Sequence, residues 1–503
     1  MTMKILFVRP PVPPHTIGLK HIMICEPLEL EYAAAGLIGH DIQIMDLIVE
    51  RGFRKRLQEF KPDVVASSCY ITGVNEVIKL FREVKIWNRK CFTIAGGVQA
   101  SQVPEDFADM AVDCIVMGDG TTTMPEVIEA LENSNPLNDI AGLAFPVGPG
   151  EVECTEGKVY MPKADTLPFP RRDLVAHLQH KYYYLLHQPV ATLKTTWGCW
   201  YKCNFCYTWR ITDGLPYSRS PESIVEELLQ IETEDIYIVD DIFIINRSRL
   251  NKLAALLREH NIRKKYLVYA RADFISENED LIAEWAELGL SAVFIGLEAA
   301  TNIELDSMNK ECSVDYNRRA IEVLRKYKVD TYGSLIPSPD YTGEDWERLW
   351  QFIEETGLYY VNISPLTPMP GTEIWPSYKD KVTVPREAHG LWDLSHVLLP
   401  TRMPLKKYYR ELLKLYGKTI LNISRANKHT QRTLPSVWSW KYFRMLYGAL
   451  KIGRQFLQAH QHHSPKELAR AMNRGPEVPG LAFKPRSKRP VKVQSKLTEL
   501  ANP

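Results

Sequence analysis

Trp197-Gly198-Cys199-Trp200-Tyr201-Lys202-Cys203-Asn204-Phe205-Cys206 sets three cysteines at the spacing CxxxCxxC. Three thiolates in one short loop can hold three corners of a [4Fe–4S] cube and leave the fourth iron open, which makes that iron a chemical site. A zinc site and three unrelated thiols are the alternative readings. Closed zinc sites take four ligands, commonly a CxxC pair with a second pair or two histidines, and no neighbour in the sequence completes one. The loop follows an apolar strand, Ala191–Thr195, and strand and helix patterns then alternate to about Asp380, as in a partial (β/α) barrel. Barrels of this kind carry their active sites at the strand carboxyl ends, which is where this loop falls.

Toward the amino terminus the same alternation marks residues 1–145 as a doubly wound parallel α/β sheet. The expected strands are Lys4–Val8, Asp41–Asp46, Asp63–Ser67, Phe92–Ala95 and Cys114–Val116. Small or flexible residues follow three of them: Ser67-Ser68, Gly96-Gly97 and Gly118-Asp119-Gly120. Ligands of open α/β sheets sit at those carboxyl ends, where glycine lets a backbone approach closely. Residues 146–185, with Pro162, Pro168 and Pro170, read as a linker, and the barrel occupies 186–385. A mostly helical region over 386–460 follows, with helices expected at Leu405–Ile423 and Val437–His460.

Hydrophobic residues make up 45% of the 503 and charged residues 24%, the balance of a soluble globular protein. No stretch reaches the roughly 18 uninterrupted apolar residues of a membrane span. The opening Met1–Arg9 reads as a β-strand rather than a signal peptide. Nine cysteines without a framework predict a reducing compartment, hence a cytoplasmic protein. From Lys451 onward eleven Lys and Arg face three Glu, a balance of +8 within a chain of net +1. Residues 461–503 are therefore expected to form a basic, disordered tail, with attraction to anionic lipid headgroups as the functional reading. No nucleic-acid partner is expected.

With an aromatic residue before its last cysteine, the triplet resembles the signature of radical S-adenosylmethionine (SAM) enzymes. That resemblance implies a [4Fe–4S] cluster on Cys199, Cys203 and Cys206, whose open iron chelates SAM and whose electron cleaves it to a 5′-deoxyadenosyl radical. It also implies an external electron donor of flavodoxin or ferredoxin type. Phe205 stands where the family's aromatic residue packs near adenine. Asp240 and Asp241 end the second barrel strand where relatives carry a Gly-Gly-Glu stretch that bonds the SAM ammonium. Adjacent strand residues point to opposite faces, so one of the two is expected to meet the cofactor. Arg271 ends the third strand, and Glu298 ends the fourth in an element resembling the family's Gly-x-Glu. Arg319, on the next helix, is a further candidate for the SAM carboxylate. Ser364-Pro365-Leu366-Thr367-Pro368-Met369-Pro370-Gly371-Thr372 resembles the family's closing turn, whereas Ile336-Pro337-Ser338-Pro339-Asp340 departs from its usual Gly-x-Pro-Gly-Glu.

The strand ends of residues 1–145 resemble the cobalamin-binding domain, Rossmann-like in fold, that precedes the barrel in one large class of these enzymes. Ser68, Gly97 and Gly120 are the implied cobalamin contacts. The cobalt-binding Asp-x-His-x-x-Gly run of other cobalamin proteins has only a partial match, Pro13-Pro14-His15-Thr16-Ile17-Gly18, which lacks the Asp. His15 is accordingly read as an exposed loop residue. The combined resemblance implies a methyltransferase that moves a methyl group from SAM through cobalamin to an unactivated carbon. Cys25-Glu26-Pro27-Leu28-Glu29-Leu30 and Pro400–Tyr409 further resemble hopanoid C-3 methylases, which implies a lipid substrate and a peripheral membrane contact. A non-methylating relative, such as a ring cyclase or rearrangement enzyme, and a binding protein with a structural cluster remain the alternatives.

Overall fold

The computed structural model describes residues 2–156, 163–430 and 440–483. Its first half is a seven-stranded sheet in the order Asp41–Asp46, Lys4–Arg9, Val64–Ser68, Phe92–Gly96, Cys114–Val116, Leu143–Gly148 and Glu151–Cys154. The first five strands pair in parallel and the last two antiparallel. Alternation within the first strand explains the layering. Ile5 and Phe7 pack into one buried cluster and Leu6 and Val8 into another on the opposite face, as a sheet with both faces covered requires. The strand order reverses between Lys4–Arg9 and Val64–Ser68, and at such a reversal the flanking loops splay apart and leave a crevice.

The second half is a parallel sheet of six strands in sequence order: Val190–Leu193, Asp235–Ile238, Lys265–Ala270, Leu290–Glu298, Asp330–Leu335 and Tyr360–Ile363. Outward residues such as Tyr266, Val268, Val293 and Ile295 bury against the surrounding helices. The inward residues are strongly aromatic. Tyr237, Tyr269 and Phe294 follow one another with ring centroids 5.9 and 5.0 Å apart, and Tyr332 meets Tyr360 at 4.9 Å. This inner layer is continuous with the core of the first domain.

Two expectations about boundaries are corrected. The boundary at 145 falls inside the strand Leu143–Gly148, because the edge hairpin it forms with Glu151–Cys154 completes the first sheet. The 146–185 segment is also more than a spacer. Tyr183–Tyr184 pairs with Met23–Ile24, and the Tyr184 ring lies against Tyr237 and Tyr332 inside the barrel.

The carboxyl-terminal helices are Leu405–Thr430 and Trp440–Ala459. Residues 461–483, expected as part of a disordered tail, instead pack on the first domain. Asn75 donates to the carbonyls of Glu387 and Ala471, both at 2.8 Å, and Arg82 donates to that of Gly475 at 3.0 Å. The contacts to Ala471 and Gly475 join residues nearly 400 positions apart, so local composition could not announce them. The rest of the tail, 484–503, lies outside the described residues.

Candidate active site

The cysteine loop is held from below and from the side. Gly198 has φ +80°, and a Cβ there would stand 2.1 Å from Thr212 Oγ1, so glycine is what lets the loop turn. Asp241 accepts the Gly198 amide at 2.7 Å. On the far side Asn204 N donates to Met308 O at 3.1 Å and Asn309 Nδ2 to Lys202 O at 2.8 Å, stitching the loop to residues 307–310. Cys203 is buried, Cys199 and Cys206 half-buried, and all three are free thiols. Burial raises each of them, Cys206 to about 11, and Cys199 and Cys206 also feel the charge of Cys203. Lys310 and Arg271 oppose that rise at Cys203. Among the described residues no trio of metal-ligating side chains converges on a single ion. A cube, with its irons at separate corners, suits spaced thiolates beside two cations.

The structure separates the two adjacent carboxylates. Asp240 is buried and accepts from Thr195 N at 2.6 Å, Thr196 N at 2.9 Å and the Thr195 hydroxyl. Its capacity is used within the fold. Asp241 is exposed at the barrel mouth, and its charge reaches Cys199 and the rings of Tyr70, Tyr207 and Tyr269. Arg271 lies 3.5 Å above the Tyr201 ring and donates to the carbonyls of Lys310 and Glu311 at 2.7 and 2.8 Å. Burial works against its charge, but the bond to Asp273 together with the charges of Asp273, Tyr201 and Cys203 holds its pKa up. Glu298, at φ +60°, forms a buried ion pair with Lys310 Nζ at 2.6 Å. Phe205 is half-buried within the loop. Arg319 is not brought to the site: it lies on the exposed face of its helix, paired with Glu279 and Glu322. Lys310 was missed, because a lysine in a turn twelve residues after Glu298 carries no sequence signal of the pairing.

Facing the loop stand the strand ends of the first domain. Ser68, Gly97 and Gly120 close three neighbouring strands. Gly97 has φ +95°, and a Cβ there would meet Ser68 Oγ at 2.4 Å, so backbone rather than side chain forms this surface. Asp119 caps the helix Gly120–Glu132 through the amides of Thr121 and Thr122. His15 is not the exposed residue expected. Its ring stands edge-on to His462 at 5.2 Å and its Nε2 lies 3.7 Å from Glu467, both in the carboxyl-terminal segment.

Between the two halves lies a crevice. Tyr70 is 66% exposed and Glu29 is exposed too, yet burial pushes Tyr70 up to about 12 and raises Glu29 against the pull of Arg9. Groups that keep open surface while burial shifts them lie in a recess rather than on an open face. Burial likewise pushes Cys25 and Tyr269 up to about 12. The crevice, lined by Tyr70, Gln99, Tyr207 and Met369, joins the first domain to the loop and closing turn of the barrel. One cavity thus touches the strand ends of both sheets.

Comparison with known proteins accords with this two-part geometry. Residues 13–128 match the B12 binding domain and residues 193–353 the Radical SAM superfamily. The hopanoid C-3 methylase of Methylococcus capsulatus is 33% identical over 422 residues, covering 82% of this chain and 79% of that protein. The anaerobic magnesium-protoporphyrin IX monomethyl ester cyclase of Rubrivivax gelatinosus is 24% identical over 76% of this chain and 71% of its own. Among solved structures, the cobalamin-dependent SAM radical enzyme OxsB superposes with TM-score 0.64 at 14% identity, covering 94% of this chain and 83% of its own. The radical SAM methyltransferase TsrM from Kitasatospora setae superposes with TM-score 0.62 at 15% identity, covering 92% and 98%. The chain belongs to the cobalamin-binding radical SAM family. It is a methyltransferase of that family, and its cofactors are a [4Fe–4S] cluster, SAM and cobalamin. It acts on a small-molecule substrate and draws on a reductant.

Proposed function

We propose that the methyl acceptor is a hopanoid, methylated at C-3 on the cytoplasmic side of the membrane. The observation that carries this reading is the 33% identity to the Methylococcus capsulatus enzyme across four-fifths of the chain. The aromatic barrel lining supports an acceptor with a large apolar surface. When bound, the cofactors supply a carbon-centred radical that abstracts hydrogen and a cobalt-borne methyl group that replaces it.

The chain's own part is positional. Cys199, Cys203 and Cys206 hold the cluster, with Lys310 and Arg271 offsetting the negative charge of their thiolates. Asp241, Arg271 and Glu298 hold SAM, and Phe205 packs beside its adenine. Ser68, Gly97 and Gly120 cradle cobalamin. Asp240 acts indirectly, by fixing Thr195 and Thr196 at the base of the loop. Facing walls place methyl donor and radical on two sides of one substrate. Electrons come from a flavodoxin or ferredoxin type donor. No helix among the described residues is long and apolar enough to cross a membrane, so the lipid reaches the site by peripheral contact, to which the basic tail contributes. Deletion of the gene and profiling of membrane lipids tests the substrate: 3-methylhopanoids should disappear. Their persistence would refute it.

A further inference from the structure

The helix Trp440–Ala459 has two unlike faces. One is fixed to the protein. Gly448 packs so closely on the His21 carbonyl that a Cβ would stand 2.4 Å from it, and Phe456 is buried beside Tyr409 and Tyr416. Arg444 lies 3.7 Å above the Tyr183 ring and donates to the Leu185 carbonyl. The other face is open apart from Tyr447, whose ring meets that of His21 edge-on at 6.4 Å. Trp440, Phe443, Leu446, Tyr447, Leu450 and Leu457 are all exposed, Trp440 to 77% and Leu450 to 68%. At 3.6 residues per turn these six fall within an arc of about 120°.

Charge decides what such a stripe fits. The helix carries Lys441, Arg444, Lys451 and Arg454 and no Asp or Glu. Arg454 lies within the apolar arc and Lys451 beside it, both exposed. A second copy docked here by two-fold symmetry would bring these cations toward their own equivalents, with no acid on the helix to pair them. An anionic lipid surface accepts both features together: apolar and aromatic side chains enter the headgroup boundary while Lys and Arg meet phosphates. The helix is amphipathic rather than apolar throughout, so it lies on a bilayer and does not cross it.

We propose that the exposed face of the helix Trp440–Ala459 is a membrane-docking surface that seats the enzyme on anionic lipid. It is distinct from the basic tail beyond residue 483, and it does not depend on the acceptor being a hopanoid. The helix packs on Leu19–His21, just before the strand Met23–Ile24, and its Arg444 reaches the paired strand Tyr183–Tyr184. Tyr184 reaches the barrel interior from the same strand whose Tyr183 carries Arg444. Docking therefore places the bilayer beside the wall of the barrel rather than against a remote lobe.

The test uses the full-length, anaerobically reconstituted protein and sedimentation with vesicles free of hopanoid. One set contains phosphatidylglycerol in phosphatidylcholine and the other phosphatidylcholine alone. The double variant Phe443→Glu, Leu450→Glu should lose about a hundredfold in partition to the anionic vesicles, about tenfold for each apolar side chain withdrawn. The pair Lys451→Glu, Arg454→Glu should lose the preference for phosphatidylglycerol. Truncation after Phe483 should retain most of the binding. Unchanged cluster absorbance and unchanged SAM cleavage without acceptor would show the variants folded. Equal sedimentation of the double variant and the parent would overturn the proposal, and so would abolition of binding by the truncation alone. A parent dimer that the double variant splits, with vesicle binding unchanged, would overturn it in favour of a contact between copies.

Discussion

The two walls of the central cavity are built on opposite plans. On the barrel side each polar group is already engaged: Asp240 by two threonines, Asp241 by the Gly198 amide, Arg271 by Asp273 and two carbonyls, Glu298 by Lys310. On the first-domain side Tyr70 and Glu29 present open surface to the crevice, and neither bonds another residue's side chain among the described residues. A wall whose groups hold one another keeps its geometry before any cofactor arrives. A wall of glycine backbone and unengaged side chains is shaped to receive a large, flat group.

The largest effect should come from the loop itself. Cys199→Ala, Cys203→Ala and Cys206→Ala should each bring reductive SAM cleavage to background, whereas replacing Cys312, outside the loop, should leave it intact. Retention of a full cluster and normal 5′-deoxyadenosine output in any of the three would break the contrast at its root. Next, the two walls should fail separately. Gly97→Ala should strip cobalamin from the purified protein while sparing cluster content, because the new Cβ presses on Ser68 and not on the barrel. Simultaneous loss of both cofactors would show that the walls are not independent.

Stability gives a third handle. Lys310→Met leaves the Glu298 carboxylate buried and unpaired, and removing one partner of a buried pair costs about 3 kcal/mol or more in denaturant unfolding. Tyr70→Phe should shift unfolding by less than about 0.5 kcal/mol, since its hydroxyl has no hydrogen-bond partner to lose among the described residues, while changing cobalamin retention. Equal shifts on both walls would erase the distinction. The smallest effect concerns the carboxyl-terminal clasp. Burial lowers His462 to about 4, next to His396, His15, Glu467 and Asp393. The unfolded segment, with an ordinary imidazole, takes up its proton first as pH falls. The clasp should therefore weaken from about pH 6.5 downward toward 4. Hydrogen exchange over residues 455–472, corrected for intrinsic rate, should accelerate between pH 7 and pH 5, and His462→Gln should flatten that dependence.

What was legible in the chain was whatever spacing or backbone conformation expresses locally. The CxxxCxxC run, the strand ends at Ser68, Gly97 and Gly120, and the parallel alternation of both sheets follow from residues within a few positions of one another. Strand parity foresaw that Asp240 and Asp241 would part company, but not which would face the cavity. That depended on Thr195 and Thr196 arriving from the neighbouring strand. Arg319 was misplaced because helix periodicity locates a face without saying which neighbour meets it; Glu279, from another helix, does. Lys310 and the packing of residues 461–483 were illegible for the same reason, their partners being fixed by tertiary contact alone.

The most direct measurement follows the methyl group. Reconstituted protein would be incubated anaerobically with cobalamin, a one-electron reductant, a hopanoid bearing an unsubstituted C-3, and SAM carrying a deuterated methyl group. A cobalamin-dependent radical SAM methyltransferase should yield product with the intact labelled methyl, together with 5′-deoxyadenosine and S-adenosylhomocysteine in equal amounts. Abundant 5′-deoxyadenosine with an altered hopanoid, no labelled methyl in it and no S-adenosylhomocysteine would contradict methyl transfer and place the chain with the non-methylating members of its family.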